Sequence, residues 1–569
     1  AEFVTGGSIV RTFTIENNES AALNLTGTPK VAITGTHASD FTLTAAPSSP
    51  VARFSSTTFQ ITFNPSGSGA RTALLTIAND DEDERPYTFA IEGVGTVPSS
   101  SADYTISTAN STITITDANG NGETMEVSES NSNVRFFVSG RTYSIDGGAV
   151  TPFTTPADIP ISSNTGIVVN TNAGNDIITV GAFTSALPSL TINAGIGDDI
   201  VNMNGNINFA ANANLDLDLQ NDDNASPGRD VVNIGTNANV ILAGTGNATI
   251  KVSQNVFVNT GGGLTTANGN LLVEANQQGT PTSGNFAGVR LNDLNSLLQI
   301  TGSGLLTVKG KGGDIGRTTY GIYMGRGGKI IGGTNTVTVE GVGGPTSSFG
   351  SYGVGMIALS EIRSTGGNII INGTGNGTAI NSGGLGLGYD GVYVRGTISA
   401  GGTGNVTITG RGSLNNAEET LTGVVILEGG VTTAGGNLTI NGYGGGSGNT
   451  PRSTGIAISS SALVSSGGMG TLTLNGEGGV GTGNGNYGVI LYGVITSGGG
   501  DIIVMGKEGG GIGSYGIAIS NTIYGGSDGE INTSTNGGDI LLRTNSFVSD
   551  ANTLTLITSH LSNKVTFLP

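Results

Sequence analysis

Gly321-Ile-Tyr-Met324, Gly353-Val-Gly-Met356, Gly391-Val-Tyr-Val394 and Gly423-Val-Val-Ile426 are four occurrences of one phrase, Gly-apolar-x-apolar. The phrase starts at Gly288-Val-Arg-Leu291 and continues through Gly455-Ile-Ala-Ile458, Gly488-Val-Ile-Leu491 and Gly516-Ile-Ala-Ile519. Successive starts keep a nearly constant interval, which a Gly-rich chain without internal repeats does not do.

A second β segment follows most of these phrases: Thr336-Val-Thr-Val339, Asn368-Ile-Ile-Ile371, Asn405-Val-Thr-Ile408, Asn437-Leu-Thr-Ile440, Thr471-Leu-Thr-Leu474 and Asp501-Ile-Ile-Val504. A weaker apolar step lies between the two, at Ile330-Ile331, Ile362, Ile398, Val431, Val464 and Ile495. Three short strands per unit, separated by Gly-rich turns, predict a parallel β-helix over 161–545. Inward residues then stack on their equivalents one coil away. Gly supplies φ > 0 at corners, and Asn there forms side-chain ladders between coils. Roughly 14 coils at ~4.8 Å give a body of ~70 Å, right-handed because parallel crossovers overwhelmingly are.

The flanks read differently. Residues 102–160 break the period and predict hairpins that cap the first coil, with strands at Ser111-Thr-Ile-Thr-Ile115, Arg135-Phe-Phe-Val138 and Tyr143-Ser-Ile145. Residues 546–569 break it again and predict C-terminal capping strands. Residues 97–101 form a linker, and 1–96 form a separate module of six or seven short alternating strands. In Thr57-Thr-Phe-Gln-Ile-Thr-Phe63, for example, Phe59, Ile61 and Phe63 share one face at period two. The whole chain is predicted all-β: an immunoglobulin-like β-sandwich followed by a long right-handed parallel β-helix.

Two resemblances follow from these residues. Arg11-Thr-Phe-Thr-Ile-Glu-Asn17, Ala22-Leu-Asn-Leu25, Asp40-Phe-Thr-Leu43, Phe63-Asn-Pro65, Ala78-Asn-Asp-Asp81 and Pro86-Tyr-Thr-Phe-Ala-Ile-Glu-Gly93 occur in the order seen in the choice-of-anchor D repeat. That repeat is itself similar to the immunoglobulin-like ASPM/SPD-2/hydin domain, and it implies a modular exported bacterial protein without catalysis. The family has a further strand before the position of Phe3. Its absence reads either as a boundary of the sequence or as an edge completed by a strand from a neighbouring chain. The body, with phrases such as Gly435-Gly-Asn-Leu-Thr-Ile-Asn-Gly442, resembles the filamentous-haemagglutinin-like β-helices of bacterial adhesins. That resemblance implies secretion and an adhesive or structural role.

Composition narrows the function. The chain has 41 acids against 22 bases, net charge -19, which excludes the phosphate-neutralising surface that nucleic-acid binding needs. Cys is absent and there are two His, so zinc, haem and iron–sulfur sites are excluded, and a Ser-His-Asp arrangement would have to use His37 or His560. No run is apolar for the ~18 residues of a transmembrane helix. The start at Ala1, without Met or a secretory signal, reads as a processed or partial form. The Thr/Asn/Ser-rich, acidic, Cys-free composition reads as extracellular, at a bacterial cell surface.

Three Asp follow Gly-x before an apolar pair: Gly174-Asn-Asp-Ile-Ile178, Gly197-Asp-Asp-Ile-Val201 and Gly228-Arg-Asp-Val-Val232. Ala194 to Asn202 is similar to the calcium-binding nonapeptide of RTX toxins, which makes Asp176, Asp199 and Asp230 candidate Ca²⁺ ligands. The steps from Asp176 to Asp199 and from Asp199 to Asp230 are too long for that tandem repeat, and the competing reading is Asp accepting backbone N–H bonds at turns. The pairs Asp198-Asp199 and Asp222-Asp223 raise glycoside hydrolysis, although neighbours on a strand point to opposite faces. Tyr320, Tyr323, Tyr352, Tyr393, Tyr487, Tyr492 and Tyr515 either line a glycan-binding face or shield Gly-rich corners. The Thr-x-Thr triplets at 336–338 and 471–473 do not recur coil after coil, which argues against a flat Thr array. The expected function is an extracellular structural or adhesive protein, not an enzyme: a surface stalk or a subunit of a fibre or sheath. Its partners are copies of itself or surface glycans. The alternative is a polysaccharide-degrading β-helix lyase or hydrolase.

Overall fold

From Val289 to Lys311 the chain lays down three strands, Val289–Leu291, Leu297–Ile300 and Leu306–Lys311. Their inward residues Val289, Leu291, Leu298, Ile300, Leu306 and Val308 are buried. Each strand then pairs in parallel with its counterpart one coil on: Val289 with Ile322, Leu298 with Ile330 and Leu306 with Val337. This is the solenoid that the periodic phrases predict. We call the three faces a, b and c in chain order. In the coils at Val424–Thr433 and Ile456–Ser466, a and b fuse into one strand with a register shift after Ile426.

The computed structural model describes the chain except for residues 1, 4–7, 68, 97–100, 163, 221–226, 317–318, 346–349, 378–388, 415–420, 520–528, 534–536, 550–554 and 559–562. Most of the predicted linker, the pair Asp222-Asp223 and His560 therefore lie outside the described residues. Two units separate: Ala1–Tyr104 with Gly140–Thr154, and Thr105–Ser139 with Thr155–Pro569.

The first unit is a sandwich. One sheet orders β1 (Glu2–Phe3), β7 (Tyr87–Thr96), β6 (Gly69–Ile77) and β3 (Ala32–Thr34); the other orders β2 (Ile9–Asn17), β5 (Ser55–Phe63) and β4 (Phe41–Ala45). Alternation puts Phe59, Ile61, Phe63, Ala73, Leu75 and Ile77 into one core, with Phe41 and Phe63 rings 4.8 Å apart. Asp40, buried beside it, is held below the usual carboxylate range: burial works to raise it, and the hydrogen bonds from Arg71 and Ser66 overcome that.

The second unit corrects both predicted caps. Face c begins at Thr112–Asp117, which pairs in parallel with Gly166–Asn170, so the column starts inside the stretch assigned to a cap. Thr124–Ser130 and Asn133–Val138 do form an antiparallel hairpin there, while Gly140–Thr154 groups with the first unit. At the other end Phe547–Ser549, Thr555–Thr558 and Val565–Leu568 pair in parallel with the three strands of the coil before them. Residues 546–569 are thus a further coil. The sequence hides this because the phrase there reads Ser546-Phe547-Val548-Ser549, with Ser where the eight coils from Gly288 to Gly516 have Gly.

The Gly of the deciding phrase has a different cause from the one expected. Gly321, Gly353, Gly391 and Gly423 do not adopt positive φ. They stand where faces c and a converge, opposite a second column at Gly310, Gly341, Gly373 and Gly410. A Cβ on Gly341 would lie 2.0 Å from the carbonyl oxygen of Gly353, and one on Gly391 would lie 2.2 Å from the amide nitrogen of Arg411. Backbone fills the space that side chains occupy elsewhere. Positive φ is found at other turns, such as Gly327 and Gly402.

Polar ladders close the b–c corner. Asn214, Asn247 and Asn270 each accept at Oδ1 the backbone N–H of the matching residue one coil on, at 2.8–2.9 Å. Asn368, Asn405 and Asn437 do the same at 2.7–2.9 Å. Inside the same corner Thr266, Ser364, Thr433 and Ser497 donate buried hydroxyls to the carbonyl three positions on.

Candidate functional site

The three candidate Asp stand at the entry to face a in consecutive coils. Ile177, Ile200 and Val231, which follow them, are in register, so both unequal steps along the sequence are one turn of the solenoid. The carboxylates stack directly and are buried. Oδ1 of Asp176 accepts the N–H of Glu123, Oδ1 of Asp199 that of Asp176, and Oδ1 of Asp230 that of Asp199, each at 2.8 Å. Ser253 closes the row, donating its hydroxyl to Oδ2 of Asp230 at 2.7 Å and accepting the Asp230 N–H at 2.9 Å.

This is the turn-Asp geometry, extended into a ladder. A Ca²⁺ ion needs six to eight oxygens gathered around one point. Here one oxygen of each carboxylate is directed at backbone, and among the described residues no group of three or more His, Asp or Glu is placed to hold a metal. Through Oδ1 the row is a backbone-paired ladder, and chelation tests whether it also takes Ca²⁺. Burial pushes the Asp176 carboxyl up to about 6, against the lowering effect of the Glu123 N–H.

The acid-pair reading fails at Asp198-Asp199: Asp198 is exposed and Asp199 buried, on opposite faces. His37 is a structural acceptor, its Nδ1 taking the N–H of Thr72 at 3.0 Å.

Three of the tyrosines, Tyr320, Tyr352 and Tyr393, form a stack at face a. Tyr320 and Tyr352 have ring centroids 5.2 Å apart, and Tyr352 and Tyr393 stack at 4.7 Å and 13°. The rings of Tyr320 and Tyr352 lie over Gly355, where an added Cβ would meet them at 3.2–3.3 Å. Tyr352, Tyr393, Tyr487 and Tyr492 are buried, so they do not offer an open stacking face; they shield Gly-rich backbone. Beside them Asp390 replaces the Tyr of the preceding coil. Burial pushes it up to about 7, and the N–H of Thr422 at 2.8 Å works in the other direction.

Register also reveals columns that the sequence did not. On the outer side of face c, Thr307, Thr338, Ile370, Thr407, Thr439 and Thr473 align, a nearly continuous Thr column that the triplets at 336–338 and 471–473 do not disclose. Further along the same strands Arg411, Tyr443, Glu477 and Lys507 align, beside Asn441, Asn475, Met505 and Arg543. Only the pairing order brings these side chains together, because a whole coil of chain separates neighbours in each column. Compared with known proteins, the chain matches no family model, no curated protein and no solved structure.

Proposed function

We propose that this chain is an extracellular structural or adhesive protein of a bacterial surface, a stalk or the subunit of a fibre or sheath. The observation that carries the reading is the use made of the chemically capable side chains. Asp176, Asp199 and Asp230 are built into an inter-coil ladder, and Tyr320 and Tyr352 are packed over Gly355. The acidic, Thr/Asn-rich composition and the resemblance of residues 1–96 to the choice-of-anchor D repeat support the same reading.

The sandwich supports assembly by β-strand complementation. Among the described residues β2 pairs with β5 alone, and β7 pairs beyond β6 only through Gly95 and Thr96. Between these two edges lies a cleft of about 180 Å³ lined by Ile9, Phe13, Ile61, Phe63, Ile91 and Val94. Phe13, Phe89 and Ile91 are only partly buried beside it. A strand from a second copy, laid along β2, would satisfy its free backbone groups and put one large apolar side chain into the cleft.

Negative-stain microscopy over a concentration series, with residues before Arg11 present and removed, tests the assembly. Head-to-tail fibres that change with the N-terminal edge support a polymerising subunit. Single particles at every concentration, with or without that segment, contradict it and leave the stalk.

A further inference from the structure

The outer side of face c carries a groove that the ladders do not explain. Four successive coils, at Leu438–Tyr443, Leu472–Glu477, Ile502–Lys507 and Ile540–Thr544, contribute to it. The groove encloses about 390 Å³ and is lined by Tyr443, Asn475, Glu477, Lys507 and Arg543 among others. Every strand beneath it is paired on both sides, so the groove presents side chains and no backbone edge.

Three features distinguish it from a solvated face. First, an amide ladder stops in it. Asn441 Nδ2 donates to Thr409 Oγ1 at 3.5 Å, and Asn475 Nδ2 donates to Asn441 Oδ1 at 2.8 Å. The next position is Met505, which offers no donor, and Asn475 Oδ1 is left buried without a hydrogen-bond partner. Such an orphaned acceptor is costly unless a donor reaches it.

Second, the charge runs against the molecule. On a chain with 41 acids and 22 bases, the side chains of the lining, which also reaches Pro569, include two cations, Lys507 and Arg543, and one carboxylate, Glu477. Lys507 is bonded to Glu477 at 2.5 Å, whereas Arg543 is exposed and makes no hydrogen bond or ion pair among the described residues. Glu508, just outside, is occupied by Asn545 and Ser546. Third, Tyr443 is a partly exposed ring at the groove wall, held in place by the Arg411 guanidinium 4.1 Å from its centroid.

We propose that this groove binds an acidic glycan, a sugar chain carrying carboxylates. A sugar hydroxyl donates to Asn475 Oδ1, a carboxylate takes the planar fork of Arg543, and a pyranose face packs on Tyr443. Nucleic acid is disfavoured by the single unpaired cation among the described groove residues and by the chain's net charge. A peptide strand is disfavoured because there is no backbone edge to extend. The inference rests on the adhesive reading and names its ligand class.

The test uses the full chain and titration calorimetry with polygalacturonate, a neutral dextran and dextran sulfate. Polygalacturonate binds, and dextran does not. Arg543→Gln and Asn475→Leu each weaken binding by about tenfold or more, the size of one lost charge-assisted or buried hydrogen bond. Arg363→Gln, on another face, leaves it unchanged. All variants must keep the wild-type melting curve, and Asn475→Ser serves if the Leu variant does not. No binding of polygalacturonate, binding unaffected by Arg543→Gln, or dextran sulfate bound equally well would overturn the proposal. Adhesion of the same variants to whole cells separates the two ideas. Adhesion that survives Arg543→Gln without any polygalacturonate binding sinks the groove alone, and a chain that adheres to nothing sinks the adhesive reading beneath it.

Discussion

In the sandwich, Phe59 and Ile61 of one sheet and Leu75 and Ile77 of the other meet in one core that both sheets must be in place to close. In the coil stack, Ile408 meets Ile371 one coil below and Ile440 one coil above, and the same contact recurs along the column. Among the described residues the sandwich leaves β2 and most of β7 open on one side, with a cleft between them. The stack pairs its strands coil after coil and uses its polar groups to hold register. The first is a cooperative unit suited to joining; the second is a near one-dimensional array suited to spanning.

Core truncation should break that contrast most visibly. Leu75→Ala and Ile408→Ala each remove a fully buried side chain at a cost of about 3–4 kcal/mol. For the sandwich that is a large share of its stability, and hydrogen exchange should rise throughout the first unit. For the stack, faster exchange should be confined to coils near 369–443 and leave 166–219 unchanged. Uniform exchange across the stack would mean that its coils are not independent.

Glycine substitution sharpens the point by separating space from conformation. Gly423→Ala puts a Cβ 2.3 Å from the backbone nitrogen of Tyr443 and should cost about 2–3 kcal/mol. Gly366→Ala meets nothing within 4 Å and should leave melting unchanged. Equal effects would refute the convergence of faces a and c as the reason for the phrase.

The deciding phrase was legible in the sequence because Gly-apolar-x-apolar repeats, and with it came the coil, the three strands and the Asn ladders. The cause of its Gly was not legible, since the two backbones that meet there belong to different faces, as at Gly341 and Gly353. The same limit hid the Asp ladder. The steps between Asp176, Asp199 and Asp230 look irregular until coil length is known to vary, and then both equal one turn. The groove residues were invisible for the same reason, as Tyr443 and Lys507 become neighbours only through Glu477.

Titration distinguishes the two directions in which carboxylates are used within the stack. Asp176 is raised to about 6, so its contribution to stability is full below about 4 and is lost as pH rises through 6. Asp176→Asn keeps an oxygen for the Glu123 N–H, and should flatten the melting profile between about pH 4 and 6. Glu129 behaves oppositely: burial works to raise it, but hydrogen bonds from Ser185 and Thr184 hold it at about 2. Its contribution is present above about 4.5 and is lost as pH falls toward 2. A Glu129→Gln variant should lose stability at neutral pH and approach wild type in acid. The smallest effect expected is that of chelation. With Oδ1 of each ladder Asp directed at backbone, EDTA should leave the melting temperature unchanged, and a marked drop would restore calcium to that row.

A chain that holds on to surfaces must do so without altering them, and this is the point on which the adhesive and the degradative readings part. Incubation with soluble acidic and neutral polysaccharides, following both retention of the polymer and its chain-length distribution, tests it directly. Polymer retained at its original length is the expected result, with Asp176→Asn and Asp199→Asn behaving as wild type. Shortened chains and new chain ends that accumulate with time, and vanish in either variant, would contradict it.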